Sequence, residues 1–403
     1  MRKKYLFYVL AIVSSFILAI VATMDSTICF IFHQNSWNYW VCALAVFLVG
    51  APITLLIVFI LSLPINGKSL GSKLDPSFKR IRLVKREELS YYLLAGAANA
   101  IQTAGYYLIL SRFGDPSMAL PFNQIVILYL LSIESIAEKN SPTMAELQCA
   151  IIVTFGAIMS SLSMGGLDIK ALLVVFLIIN PGWCVVSIYQ RKLKLLKFGG
   201  KPNDSINIRF WNVIFSTIFV VLIALIVDKS LLLQAFYAAS KYFPLLGVLM
   251  SLGFFSYVLY IRALGIGKAS VTQAIRASSI IFVIPFSILL GRFFYADSLH
   301  LLIKLMGIVL VILGITSLSL TDVKAYLFIN VKQGYSKGVL MEKIWKIKGV
   351  ESIATIAGGT DLIAKVRTRS LGKGYERVIR RLEEVEGIEE FKWQSILKEW
   401  EEI

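Results

Sequence analysis

The chain has 403 residues, 57% hydrophobic and only 16% charged, with a formal net charge of +16 and a mean hydropathy of +0.74. Soluble domains carry about a quarter charged residues, so the composition excludes an ordinary soluble protein and argues for one that lives in a bilayer. Nor does the basic surplus form a nucleic-acid face. It is concentrated in the gaps between apolar segments: residues 1–320 hold 26 Lys/Arg against 12 Asp/Glu, while 321–403 hold 15 against 13.

The N-terminus, "MRKKYLFYVLAIVSSFILAIVATM", starts like a signal peptide, but its apolar run is too long and lacks a small-residue cleavage site, so it is expected to stay as a first span. About 20 apolar residues cross the hydrocarbon core. Ten segments qualify: 5–32, 37–63, 89–111, 117–138, 143–163, 171–190, 210–227, 242–262, 268–290 and 299–320. With the N-terminus inside, the inner segments carry 19 Lys/Arg, six of them between Arg191 and Arg209, and the outer loops carry five. The positive-inside rule then places both termini in the cytoplasm of a plasma-membrane protein. Cys29, Cys42, Cys149 and Cys184 lie in apolar segments without metal or redox spacing and read as small core residues.

Polar groups interrupt these spans in an ordered way. Asp25 sits late in the first, Asn99 and Gln102 in the third, Asn123 and Gln124 early in the fourth with Glu134 near its end. Asn180 precedes Pro181 and Gly182 in the sixth, where the pair is expected to kink or unwind the helix and free carbonyls. Asn212 lies in the seventh. Gln273 and Arg276 share a face of the ninth, Arg276 being eight residues past Lys268, about 12 Å along the axis at ~1.5 Å per residue. An arginine there costs roughly 2–3 kcal/mol or more. Three readings account for it: contact with a substrate in a watery cavity, pairing with Asp25 or Glu134, or snorkelling to the headgroups. Either acid is also a candidate proton carrier. Trp183, Tyr106 and Tyr260 read as interface or core aromatics.

Residues 106–139 lie over 257–292: an aromatic-ended span, a tight Gly-containing loop, a span led by small residues with polar groups in its first half, then another apolar span. Setting Ser117 over Ser270 places Asn123 over Arg276. Five helices separate the copies, so the second is inverted, the arrangement of secondary transporters. The expected fold is therefore an all-α membrane domain over 1–320, with repeats at 5–163 and 171–320. The loop-to-helix joints "FGDPSMALPFNQ" and "LGIGKASVTQA" and the closing "LLIKLMGIVLVILGITSL" resemble the EamA-like part of the drug/metabolite transporter superfamily across about residues 5–320. That resemblance implies carriage of small metabolites. Its Gly-Glu pair ending the fourth and ninth helices appears here as Glu138 but as Arg292 in the second copy.

Chemistry of other kinds finds no motif. "NGKS" and "IGKA" lack the first glycine of a phosphate loop, only His33 and His300 exist, and no nucleophile–base or metal cluster is evident, so no enzyme, cofactor or metal is expected. An ion gradient or exchange is the expected driving force.

Past Leu320 the pattern changes to βαββαβ, a small α+β ferredoxin-like domain over 321–403 with one open sheet face, expected to dimerise. Its "KGVESIATIAGGTDLIAKVRT" block closely resembles the ligand-binding domain of the Lrp/AsnC regulators over about 322–400, with Gly358 and Asp361 on that family's Gly-x-x-Asp turn. The resemblance implies a small-molecule effector, such as an amino acid, at Gly358, Gly359, Thr360 and Asp361. The DNA-reading helix-turn-helix of those regulators is missing, so nucleic acid is not an expected partner. Together these readings point to a secondary transporter (exporter or exchanger) of a small polar metabolite such as an amino acid, under a cytoplasmic sensor. The alternatives are a membrane-anchored amino-acid receptor without transport and a flippase of lipid-linked substrates.

Overall fold

The computed structural model describes residues 3–65, 67–138, 144–161, 169–198, 201–267, 269–291, 298–320, 322–347, 349–369 and 374–395. It divides into two compact units, Met1–Leu130 with Ile152–Leu313, and Leu131–Ile151 with Gly314–Ile403. This cut differs from the composition break at residue 321, since the second unit also takes in 131–151.

Helices α1 (Lys3–Gln34) and α2 (Tyr39–Ser62) meet at a tight turn where the Asn38 side chain accepts from the Val41 amide at 3.1 Å. Hairpin β1 (Pro64–Ile65) and β2 (Lys68–Ser69) leads to α3 (Arg86–Phe113), which stops where Gly114 turns left-handed at φ 67°. The Asp115 carboxylate accepts from the Ser117 amide at 2.8 Å and starts α4 (Pro116–Gln124), followed by α5 (Val126–Glu138) and α6 (Met144–Ser161). Helix α7 (Ile169–Val174) passes through a π-helical turn at Val175–Ile179 into α8 (Asn180–Leu195). Pro181 thus bulges the helix without unwinding it. Hairpin β3 (Lys197–Phe198) and β4 (Lys201–Pro202) then leads to α9 (Ser205–Val227), α10 (Ser230–Lys241), α11 (Phe243–Leu264), α12 (Ala269–Arg276), α13 (Ser279–Leu289) and α14 (Ser298–Leu320).

Among the described residues, eight helical stretches are long and apolar enough to cross a membrane, the pattern of a multi-pass membrane protein. The two remaining expected spans appear as the shorter apolar helices Ala119–Glu134 and Leu147–Met159. An unforeseen element is α10, placed where the sequence suggested an outer loop. At 12 residues it is too short to cross, but Leu231, Ala235, Ala238 and Ala239 form one buried face while Leu233, Phe236 and Tyr237 stand exposed. That pattern suits a helix lying in the interface.

Helix α4 gives way to α5 at Ile125, and α12 to α13 at Ala277 and Ser278, each time through short i→i−3 bonds (Ile125 N to Phe122 O, 3.3 Å; Ser278 N to Ile275 O, 3.1 Å). These breaks fall in the two spans that the sequence comparison superimposed. Each leaves a carbonyl for a side chain from elsewhere to satisfy.

Outside the spans, the loop before α3 is pinned by buried charge. Lys194 Nζ reaches Asp75 at 2.6 Å and the Asn203 carbonyl at 2.6 Å, while Arg82 pairs with the buried Glu88, which also accepts from Asn203 Nδ2 at 2.6 Å. Burial alone would raise the Asp75 carboxyl; the Lys194 ammonium and the Ser205 and Ser77 amides outweigh it and hold it below the usual carboxylate range. A second buried pair joins Lys304 to Asp115.

In the second unit, β5 (Asp322–Val331), α15 (Lys337–Trp345), β6 (Val350–Thr355), β7 (Leu362–Arg369), α16 (Gly374–Glu383) and β8 (Ile388–Ser395) form the expected βαββαβ unit. The sheet order is β6-β7-β5-β8, antiparallel throughout. Alternation along the strands turns Leu327, Ile329, Leu362, Ala364 and Val366 toward Leu340 and Ile344 of α15 and Val378 and Leu382 of α16.

The membrane helices pack through small residues, which let backbones approach closely. A methyl group at Gly96 would sit 2.6 Å from Phe215 Cβ and 3.1 Å from its carbonyl carbon, whereas at Gly253 nothing lies within 4 Å. Gly96→Ala should therefore lower stability by about 1–3 kcal/mol, and Gly253→Ala should stay within roughly 0.5 kcal/mol of the parent. Thermal melts of both variants in detergent check this contrast.

Candidate functional site

The helices of the first unit enclose a cavity of about 110 Å³, roughly ten times the 10–15 Å³ that one water requires. One wall comes from the polar ends of the broken helices: Asn123 and Gln124 close α4, and Gln273 and Arg276 close α12. Gln273 Nε2 donates to Gln124 Oε1 at 3.3 Å, so the two short helices touch at the cavity itself. Asn99 and Gln102 of α3 line another wall, tied to each other at 3.0 Å and from Asn99 to Ser216 at 2.8 Å. Asp25 of α1 lines it too, its carboxylate accepting from the Tyr107 hydroxyl.

Arg276 dominates the site. Its side chain is 0% exposed, and none of its three guanidinium nitrogens has a hydrogen-bond partner among the described residues. It therefore does not snorkel, and Asp25, bonded to Tyr107, makes no ion pair with it. Aromatic rings surround it instead: the guanidinium carbon stands 4.3 Å from the Tyr260 centroid, 4.6 Å from Tyr257 and 5.5 Å from Trp183. Tyr260 is fixed in turn by its hydroxyl bond to Ser187 at 3.0 Å. Ring quadrupoles attract a cation by about 2 kcal/mol when desolvated, but they leave its N–H donors unmet.

The sequence reading missed the cavity's second arginine. Arg209 was counted with the inner loop charges, yet α9 begins at Ser205 behind its Asp204 cap, which puts Arg209 in the helix, 5% exposed and lining the cavity. The signal was available: an aspartate followed by "SINIRFWN" is an N-cap ahead of a helical run, and the apolar segment was started five residues late. Arg209 lies 4.1 Å over the same Tyr257 ring that flanks Arg276. Tyr257 was not singled out at all, and Trp183 and Tyr260 are cage walls where core aromatics were expected.

Other expected residues fall elsewhere. Asn180 is buried but spends its amide on the Phe122 and Val175 carbonyls at 3.0 and 2.9 Å and does not line the cavity. Glu134 is 8% exposed on α5, in the second unit. Lys268 and Arg292 lie outside the described residues. In the sheet domain, Gly358 (φ 138°), Gly359 and Thr360 form an open turn, no atom lying within 4 Å of a methyl placed on either glycine. Asp361 accepts from the Val331 amide at 2.8 Å and pairs with Lys337 at 2.7 Å. That ammonium, then that amide, hold its carboxyl below the usual range.

Residues 324–402 match the Lrp/AsnC ligand-binding domain, so this domain is of a kind that binds small-molecule effectors. No EamA-type family match covers the helical region. No curated protein matches the chain. A solved structure titled only "Crystal structure of protein" aligns at 10% identity over 78% of this chain and 95% of its own, with a TM-score of 0.47.

Because one ring serves both guanidiniums, Tyr257→Leu should lower stability by about 1–2 kcal/mol, while Tyr257→Phe, which keeps the ring face, should melt with the parent. Equal losses in both variants would contradict the shared-ring account.

Proposed function

We propose that the helical region is a secondary transporter of a small polar metabolite bearing an anionic group, built as ten spans in an inverted 5+5 repeat of the EamA type, with both termini in the cytoplasm. The Lrp/AsnC-type domain is its sensor, binding an effector at the Gly358–Asp361 turn and pairing with a second copy through its open sheet face. In this reading the chain is a carrier rather than an enzyme, and an amino acid is one candidate cargo.

One observation carries the reading. The carbonyl freed at the α12 break, Arg276 O, accepts from Ser15 Oγ of the first span at 2.9 Å. At the α4 break the Phe122 carbonyl, which already accepts from the Ile125 amide at 3.3 Å, also accepts from Asn180 Nδ2 of the sixth span at 3.0 Å. In a five-plus-five repeat the first and sixth spans are equivalent, as are the fourth and ninth. Each half therefore uses its leading helix to satisfy the broken helix of the other half. A side-chain bond from each leading helix to the broken helix of the other half supports the repeat reading, and equivalent halves around a central cavity are the arrangement used for alternating access.

Reconstitution into proteoliposomes tests it. Labelled small anions and amino acids presented under a proton or exchange gradient should include at least one that crosses, and Arg276→Ala, with expression and melting retained, should slow that flux about tenfold or more, the worth of a charge-assisted contact. Flux unaffected by the substitution would remove the cavity from the mechanism. Binding without flux of any compound would favour the receptor.

A further inference from the structure

Resting on the transport reading, we infer that the cavity takes a doubly charged oxyanion, with Arg209 and Arg276 each holding one side of it against the Tyr257 ring. Four observations converge. Both guanidiniums are buried, at 5% and 0% exposed. Both stand over one ring, at 4.1 and 4.6 Å from its centroid, so they lie within the sum of those distances of each other. Among the described residues all three Arg276 nitrogens and Arg209 Nε lack hydrogen-bond partners, and Arg209 Nη1 makes a long bond to Asn212 Oδ1, at 3.4 Å. Asp25, the carboxylate that lines the cavity among the described residues, is already engaged by Tyr107.

Two like charges confined over a single ring repel each other, and neither forms an ion pair among the described residues. A planar or tetrahedral oxyanion placed between them would accept from both forks at once, the geometry for which arginine is suited. A zwitterionic amino acid fits this arrangement less well. Its carboxylate would engage one guanidinium, but its ammonium would then enter a cavity that already holds two cations. The unpartnered acceptors Asn123 Oδ1 and Gln273 Oε1 add a second requirement. Each hydroxyl on the cargo could donate to one of them, so the class is a small hydroxylated dianion, either a phosphate monoester or a dicarboxylate.

Isothermal titration of the full chain in lipid nanodiscs, at fixed ionic strength, distinguishes these with glycerol 3-phosphate, malate and alanine as probes. One of the two dianions should bind at least about tenfold tighter than alanine, and which of them does so identifies the oxyanion. Arg209→Gln should weaken that binding about tenfold or more. Arg209→Lys, which keeps the charge and loses the fork, should fall between and guards against a variant that fails to fold. Alanine binding as tightly as both dianions, or dianion binding unchanged in both Arg209 variants, would overturn the inference. The outcome is separable from that of the transport reading: tight dianion binding without flux leaves this site intact and removes the carrier, whereas amino-acid flux insensitive to Arg209 leaves the carrier and removes this site.

Discussion

Arg276 holds a permanent cation inside a helix bundle without an ion-pair partner among the described residues. Removing an ion of this kind from water costs several kcal/mol even after relaxation, and a guanidinium cannot escape by losing its proton. The protein meets part of that cost with three ring faces and leaves the hydrogen-bonding part unmet. A purely structural arginine would be expected to find a carboxylate or carbonyls. One held by π-faces in the wall of a cavity, its guanidinium nitrogens without hydrogen-bond partners among the described residues, is arranged for a partner that comes and goes.

That arrangement requires the surrounding helices to be interrupted. A continuous helix would bond its own carbonyls and present only side chains. The breaks after Gln124 and Arg276 end two short helices at the cavity, where Ser15 and Asn180 donate to the Arg276 and Phe122 carbonyls. Around this centre, close glycine contacts and two sets of buried ion pairs fix the bundle, Asp75–Lys194 with Arg82–Glu88 at one set of loops and Asp115–Lys304 at the joint leading into α4. On the proposed orientation these lie toward opposite sides of the membrane. Breaking either would expose an unpaired buried charge, so each can hold the bundle in a discrete state.

Much of this was legible in the sequence because hydrophobicity and periodicity are local. Apolar runs marked the membrane helices, and the shift to alternation after Leu320 marked every strand and helix of the sheet domain. Asn99, Gln102, Asn123, Gln124, Gln273 and Arg276 stood out because a polar group in an apolar run needs a reason, and all six line the cavity. Arg209 did not stand out because it lies near a helix start, where a basic residue looks like a topology signal; only its depth past the Asp204 cap distinguishes it. Asn180 stood out for the right reason but serves backbone carbonyls, a distinction that depends on its neighbours in space. The aromatic cage was illegible because Trp183, Tyr257 and Tyr260 are ordinary in any membrane segment until two helices bring their rings over one guanidinium. Helix α10 was missed because it is too short to register as a span.

The account is tested most directly by whether position 276 is wet. In a background with Cys29, Cys42, Cys149 and Cys184 replaced, Arg276→Cys in nanodiscs should react with a water-soluble, negatively charged thiosulfonate. Labelling by a lipid-soluble maleimide alone, with the charged reagent excluded, would place the side chain against hydrocarbon and contradict the central claim.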